Sequence, residues 1–440
     1  MIAEKAIYIL PKVQVFQRKI YLSAKADKKR KFGNLYDKVY RKDVLSSAWN
    51  SVQRNKGAAG IDDQTLKDIE NYGVTKFLDE IHGELKRKKY HPTAVKRVYI
   101  PKANGKKRPL GIPTVKDRVV QTAVKLVIEP IFEADFQEFS YGFRPKKNAN
   151  QAIREIYKYL NFGCELIIDA DFQGYFDTIP HDKLILLVKE RITDKFVIKL
   201  LQLWLKAGIM ENNKVRNNLL GTPQGGVISP LLANRYLNAL DRFWSNNQFG
   251  TNRKHDAHLV RYADDYVIVC HHEPEKYDLY ARRRLDQLDL VINEDKTRVV
   301  NASEGFDFLG YTIRKLKSKK TGKYKTYYYP SNKSMKIIKG KIKEVIQHGQ
   351  HYNLSDVVER LNPILRGWGN YFKSGNSKER FKQIDSYVIY NLTIMLRKKH
   401  QKAGKGWKEH PPSWYCENHG LVSLRKMCTE IEDESKRYKR

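Results

Sequence analysis

Cysteine is scarce in this 440-residue chain. There are four, Cys164, Cys270, Cys416 and Cys428, and no two form a CxxC pair. That excludes a disulfide scaffold and a zinc ribbon. Long apolar runs are missing as well. The longest, such as Leu184-Ile185-Leu186-Leu187-Val188, suit a strand or a helix face and fall far short of the ~18 residues a membrane span requires. The N-terminus shows no charged-then-apolar leader, so a cytoplasmic chain with no membrane partner is expected. No internal repeat and no Pro- or Ser-rich linker breaks the sequence. Acidic residues are outnumbered: 49 Asp and Glu stand against 83 Lys and Arg, and 83 − 49 leaves +34.

Aromatic residues are plentiful. With 41% hydrophobic residues, 27 Tyr, 17 Phe and 6 Trp, wholesale disorder is excluded, and the length provides for two or three cored domains. Such a charge works against compactness unless a polyanion offsets it, which makes a large nucleic acid the leading class of partner. Two segments concentrate the charge. Residues 25–31 carry five cations, and residues 315–325 carry six lysines around Gly322, the pattern of an exposed hairpin tip.

The texture changes along the chain. Residues 1–100 read as helical and basic, ending in an extended segment over 95–100. Residues 101–313 mix strands, as at 164–170 and 266–270, with helices, as over 183–207. From about 330 the apolar spacing is helical again. Ile338, Ile342 and Val345 share a face, as do Val358, Leu361 and Leu365, and then Phe381, Ile384, Val388, Leu392 and Met395. Three amphipathic helices separated at Gly340 and Pro363 are predicted, forming a small bundle. After Gly404 the pattern weakens and specifies no fold.

The strongest local signal is Arg261-Tyr262-Ala263-Asp264-Asp265-Tyr266, with apolar β-formers on both sides. It reads as a hairpin carrying two adjacent carboxylates at its turn, and adjacent carboxylates repel unless a cation compensates. A second acidic cluster lies at 165–177, where a strand runs into Asp169 and Asp171, two residues apart and so on one face. If this strand lies beside the hairpin, Asp171, Asp264 and Asp265 converge. Asp169 could stand in for Asp171, but the residues that follow favour Asp171. Three carboxylates with open positions suit two Mg²⁺ ions about 3.5–4 Å apart, a site that activates a hydroxyl and stabilises the leaving oxygen of phosphoryl transfer. Between the clusters, Gly221-Thr222-Pro223-Gln224-Gly225-Gly226 makes a loop suited to close backbone approach to a ligand. His271, His272, His255 and His258 complete no metal-ligand set and read as structural or surface residues.

Taken in order, nine blocks resemble a reverse transcriptase of the group II intron-encoded type, an RT-maturase. They are 55–62 (Asn-Lys-Gly-Ala-Ala-Gly-Ile-Asp), 108–114 (Arg-Pro-Leu-Gly-Ile-Pro-Thr), 140–145 (Ser-Tyr-Gly-Phe-Arg-Pro), Asp171 through Phe176 and Asp177, 221–230, 262–265 (Tyr-Ala-Asp-Asp), 293–296 (Asn-Glu-Asp-Lys), 308–310 (Phe-Leu-Gly) and 365–372 (Leu-Arg-Gly-Trp-Gly-Asn-Tyr-Phe). Any one is weak; nine in order and spacing are specific.

The resemblance implies an α+β right-hand polymerase with fingers, palm and thumb, an antiparallel palm sheet and a helical thumb or maturase domain. The expected organisation is a basic N-terminal extension (1–45), fingers and palm (46–313), thumb/maturase (330–400) and a basic C-terminal segment (401–440), a possible DNA-binding remnant. The resemblance implies Asp171, Asp264 and Asp265 as Mg²⁺ ligands and catalytic residues, with the Phe172 carbonyl beside them. It implies Lys102 and Arg108, on a hairpin turning at Gly105, as contacts to an incoming dNTP, and Gln224 as a nucleotide contact. Phe176 matches the family's steric gate, which leaves no room for a 2′-hydroxyl, and Lys296 matches a lysine proposed to protonate pyrophosphate. Expected partners are the group II intron RNA, an RNA template, a DNA primer or target, and dNTPs. For RNA, the cations at 25–31 and 315–325 and the aromatics Trp368, Tyr371 and Phe372 are expected to serve contact and stacking. The cell site implied is bacterial cytoplasm, at the nucleoid when bound to DNA. Cys416 and Cys428 lack CxxC partners, so an HNH nuclease module is expected to be absent. Two other readings stand beside this one: a same-lineage enzyme recruited to phage defence or CRISPR spacer acquisition, and a splicing factor that no longer polymerises. Intact carboxylates argue against the latter.

Overall fold

The computed structural model describes residues 9–101, 107–211, 214–216, 220–222, 225–250, 256–318, 322–349, 351–399 and 410–428. The chain divides into two compact units, one made of the chain up to Asn148 with Ile168–Ile268 and Glu273–Arg298, the other of Ala149–Ile167, Val269–His272 and the chain from Val299 onward. These units do not follow the boundaries expected from sequence. The expected break after residue 45 falls inside a helix, Lys42–Arg54.

In chain order the N-terminal helices are α1 (Pro11–Ala26), α2 (Tyr36–Val39), α3 (Lys42–Arg54), α4 (Leu66–Tyr72) and α5 (Val74–Lys86). From residue 9 onward the basic extension is thus no loose tail. Val13 and Ala24 are buried, Gln17 Nε2 donates to Leu126 O at 2.9 Å, and Leu10 N donates to Ser47 Oγ at 3.1 Å. Its cationic run at 25–31 stays exposed just past α1. The hairpin β1 (Val95–Pro101) and β2 (Lys107–Ile112) follows, pairing Ile100 with Arg108. Next comes α6 (Val115–Glu133), capped by Thr114, whose side chain accepts from Asp117 N. Val119, Val120, Ala123, Val124, Val127 and Ile128 are all fully buried, so α6 is buried on nearly every side and is packed by α1, α2, α3 and α11.

The middle of the chain supplies α7 (Ala149–Asn161), β3 (Leu166–Ala170), α8 (Tyr175–Thr178), α9 (His181–Lys189), α10 (Lys195–Lys206), β4 (Ile209–Glu211), β5 (Lys214–Arg216), α11 (Ser229–Asn246), β6 (Ala257–Tyr262), β7 (Asp265–Cys270), α12 (Pro274–Asp286) and β8 (Arg298–Asn301). One sheet has the order β2-β1-β4-β5 and another β6-β7-β3-β8. Asp194 shows how local chemistry and packing join here. Its carboxylate caps α10 by accepting from Phe196 N and Val197 N, and also accepts from Leu35 N and Tyr36 N at 2.9 and 2.8 Å.

The second unit holds a three-stranded sheet, β9 (Phe306–Phe308), β10 (Tyr311–Lys317) and β11 (Tyr324–Pro330), ordered β11-β10-β9. It continues into α13 (Asn332–His348), α14 (Leu354–Phe372), α15 (Lys378–Lys399) and α16 (Pro412–His419). Three amphipathic helices are present where expected, but their breaks are elsewhere. Gly340 lies inside α13 and Pro363 inside α14; the chain turns at 349–353 and 373–377. A 19-residue helix anchored by buried Val357, Val358, Leu361 and Leu365 tolerates the one hydrogen bond Pro363 removes.

The block 365–372 lies in a cluster of rings. Phe372 is buried, Trp368 packs on it at 4.9 Å and on Phe381 at 5.4 Å, and Tyr311 meets Phe372 edge-on at 4.7 Å. Tyr371 donates its hydroxyl to Leu309 O at 2.9 Å. Phe372 thus belongs to the unit's core, and the half-buried rings of Trp368 and Tyr371 pack against it. Residues 410–428, which the sequence left without a fold, dock on the bundle. Asp385 accepts from Ser423 Oγ, Leu424 N and Arg425 N, and buried Tyr415 shares a 2.7 Å hydroxyl bond with Thr393.

Candidate active site

The acidic turn sits where β6 gives way to β7 across Ala263 and Asp264. Ala263 takes a left-handed backbone, φ 58°. Such a tight turn needs an anchor, and Arg261 supplies it. Its guanidinium is wholly buried and forks onto equally buried Asp241 of α11, with Nε to Oδ1 at 2.9 Å and Nη2 to Oδ2 at 2.5 Å. Its Nη1 donates to Asn234 Oδ1 at 2.9 Å and reaches past its own strand to Ala263 O at 2.8 Å. The turn is therefore tied to α11 through one side chain.

β3 stands beside β7, and Asp171 follows its last residue. Backbone pairing extends the strand: Phe172 bridges Ile292, Gln173 N donates to Val291 O, and Asn293 N donates to Asp171 O at 2.8 Å. The 293–296 turn, closed by Lys296 N on Asn293 O, then folds Lys296 back so that Nζ meets Asp171 Oδ2 at 2.5 Å. Asp169 takes a different partner, Arg298, at 3.4 Å.

Electrostatics tie the acids together. Burial raises the Asp264 carboxyl above the ordinary carboxylate range, Asp171 raises it further, and Arg108 and Arg261 pull it back. Asp265 lies at the exposed end of β7, yet partial loss of hydration, followed by Asp264, Asp171 and Asp169, pushes it up to about 7. Asp171 bears on both turn acids, and on Asp265 more than Asp169 does, which favours Asp171 as the third member. The donor set is all carboxylate oxygen, and the acids resist joint ionisation without a counter-charge. Both properties fit a hard divalent cation.

Other expected residues fall around this centre. Arg108 on β2 is close enough to bias Asp264. The Phe172 ring is buried between Tyr175 and Tyr266 at 5.3 and 5.4 Å. Phe176, half-buried at the start of α8, meets Tyr175 edge-on at 5.5 Å, and its carbonyl accepts from Thr222 N at 2.6 Å, which runs the 221–222 segment alongside it. Lys102 and Gln224 lie outside the described residues. Gly225, with φ 113°, does allow a close backbone approach, but to the protein itself: a Cβ there would stand 2.3 Å from Gly111 O of β2.

Two anchors escaped sequence reasoning. Asp241 and Asn234 are polar residues on α11 far from any acidic motif, and only their i, i+7 spacing on one helix face hinted at a shared partner. Gln121 of buried α6 holds the glycine-rich loop by accepting from Val227 N at 2.8 Å, and nothing in the sequence set it apart from the other polar residues of that helix.

Comparisons with known proteins agree with this geometry. Residues 100–313, which contain the acidic turn, Asp171 and Arg108, match the reverse transcriptase (RNA-dependent DNA polymerase) family, so the fold and the acidic centre belong to a reverse transcriptase domain. Residues 335–411 match the group II intron, maturase-specific domain. The chain belongs to the group II intron-encoded reverse transcriptase/maturase family. Among its relatives, Protein YkfC of Escherichia coli (strain K12) is 33% identical over 70% of this chain and 90% of that protein. The group II intron-encoded protein LtrA of Lactococcus lactis subsp. cremoris is 29% identical, over 87% of this chain and 78% of its own. A putative COX1/OXI3 intron 2 protein of Saccharomyces cerevisiae is 30% identical over 62% of this chain and 38% of that protein. Reverse transcriptase domains generally use divalent metal ions, and no helix among the described residues is long and apolar enough to cross a membrane.

Proposed function

We propose that this chain copies RNA into DNA and binds the RNA of its own group II intron to assist splicing. The observation that carries the polymerase reading is the meeting of Asp171, Asp264 and Asp265, with Arg108 at hand, inside the span that matches reverse transcriptases. In this reading the mixed sheet and helices up to 313 are fingers and palm, and the helices from 330 the thumb.

Asp171, Asp264 and Asp265, with the Phe172 carbonyl, would hold two Mg²⁺ ions, which would supply Lewis-acid activation of the primer 3′-hydroxyl and charge neutralisation at the leaving oxygen. Arg108 on its hairpin, and Lys102 from the sequence pattern, bind the dNTP triphosphate. The 3′-oxygen attacks the α-phosphorus and pyrophosphate departs. Lys296 balances Asp171 in the resting site and lies within reach to give pyrophosphate a proton. The half-buried Phe176 ring closes the space under the sugar against a 2′-hydroxyl, and Gln224 contacts the nucleotide. Exposed cations at 25–31 and on the β10–β11 hairpin supply RNA affinity by counterion release.

Primer extension on an RNA template tests this. Extension should require dNTPs and Mg²⁺ and vanish in Asp171→Asn, while Phe176→Val should admit rNTPs with a modest loss of dNTP use. If wild-type protein leaves the primer unextended, the polymerase reading is wrong.

A further inference from the structure

The loop over 139–147 is held in a conformation its residues resist. Phe143 has φ 56° and Lys146 φ 60°, the left-handed region that non-glycine residues adopt at a cost, a bulky aromatic most of all. Its surroundings leave it no choice. Buried Arg144 reaches back through Nη1 to Gln137 O and Ser140 O at 2.5 and 2.6 Å, and through Nη2 to Glu133 Oε1 at 2.7 Å. Asn234 Nδ2 donates to Gly142 O at 2.7 Å, and Tyr141 N donates to Arg261 O at 2.8 Å. Gly142 is pressed so hard on the acidic turn that a Cβ there would stand 2.3 Å from Ala263 N.

The outcome of all this anchoring is an aromatic ring in water. Phe143 is 54% exposed, one residue from the contact with Ala263, and burial therefore does not explain the strain it carries. Lys146, also exposed, makes no ion pair among the described residues. A ring and a free cation three residues apart offer a stacking surface and a phosphate contact. Strain held at an exposed residue beside a reaction centre points to function, since folding gains nothing from it.

We propose that Phe143 and Lys146 bind the primer strand next to its 3′ end, the ring against a base or sugar and the ammonium against a phosphate. The primer is favoured over the template because the loop is fastened to the very turn at which the 3′-hydroxyl reacts. The proposal rests on the polymerase reading, but binding tests it without catalysis.

The test measures anisotropy of a labelled primer–template duplex and of the template strand alone, with thermal melting in parallel. Phe143→Ala should weaken duplex binding about tenfold, the size of one lost stack, and leave single-strand binding within twofold. Phe143→Gly should bind as poorly yet melt a few degrees higher, because glycine accepts φ 56° freely. A residue there only for structure would not move the two readings in opposite directions. Phe143→Trp should retain affinity, and Lys146→Glu should lower the salt slope of duplex binding by about one. Duplex binding within twofold of wild type in Phe143→Ala, or a lower melting point in Phe143→Gly, would overturn the ring's role; an unchanged salt slope would overturn the lysine's. Wild-type protein that binds duplex without extending it counts against the polymerase reading alone.

Discussion

Two hairpins of this molecule make opposite uses of charge. The β6–β7 hairpin packs its acids into a few residues at a two-residue turn, next to a third acid at the end of β3. Their repulsion requires rigid support, and a fully buried Arg261–Asp241 pair provides it. The β10–β11 hairpin strings lysines along strands that pair Lys317 with Tyr324 and leaves most of them in solvent. Lys315 is the exception, pinned to Glu165 at 2.6 Å and to Leu160 O at 3.3 Å. Concentrated like charge is cooperative and needs a scaffold; dispersed charge is additive and needs almost none.

Breaking the scaffold should have the largest effect. Arg261→Met strands a buried Asp241 and should cost roughly 3–5 kcal/mol in denaturant unfolding, and adding Asp241→Leu should restore much of it. The core rings come next. Phe372→Ala should cost about 3 kcal/mol by leaving a cavity among Tyr311, Trp368 and Phe381, with RNA affinity of the folded protein unchanged in a filter-binding assay. Loss of affinity there would return these rings to the stacking role the sequence suggested. Reversing Lys317, Lys323 and Lys325 together should weaken RNA binding about tenfold and flatten its salt dependence, with melting unchanged. Lys315→Glu alone should instead lower the melting temperature, because it sets two carboxylates against each other.

The effect on pH is the smallest, because Asp265 is exposed and solvent screens its neighbours. The Asp265 carboxyl, near 3.8 when unfolded and about 7 when folded, keeps a proton in the folded state that the unfolded chain loses across that interval. Metal-free stability should therefore decline gently as pH rises from about 4 to 7, and Asp265→Asn should flatten the decline in a pH-resolved melt. Protons compete with Mg²⁺ for the same group, so the Mg²⁺ needed for half-maximal extension should rise below pH 7.

The same contrast explains what the sequence disclosed. Asp171, Asp264 and Asp265 were legible because strand patterning delivers them to loop positions where folding alone has little use for acids. The β6–β7 hairpin was legible from the β-formers flanking its acids, the β10–β11 tip from Gly322 among lysines, and the apolar faces of α13, α14 and α15 from helical period. Arg261 with Asp241 was not, since neither signals its partner across 20 residues. Gly340 and Pro363 misled because tertiary burial overrides local propensity. The burial of Phe372 was not legible, because an aromatic run reads alike in a core or on a platform. Residues 410–428 were opaque because Asp385, which caps them, belongs to another helix.

The central claim is that polymerisation depends on the acidic turn whereas RNA affinity depends on dispersed cations. Asp264→Ala protein, assayed side by side for primer extension and for splicing of a group II intron RNA that the wild-type protein helps to splice, tests this most directly. Extension should fall below detection while RNA affinity stays within a few-fold and splicing persists. Extension that survives the substitution, or splicing that is lost with it, would contradict the account.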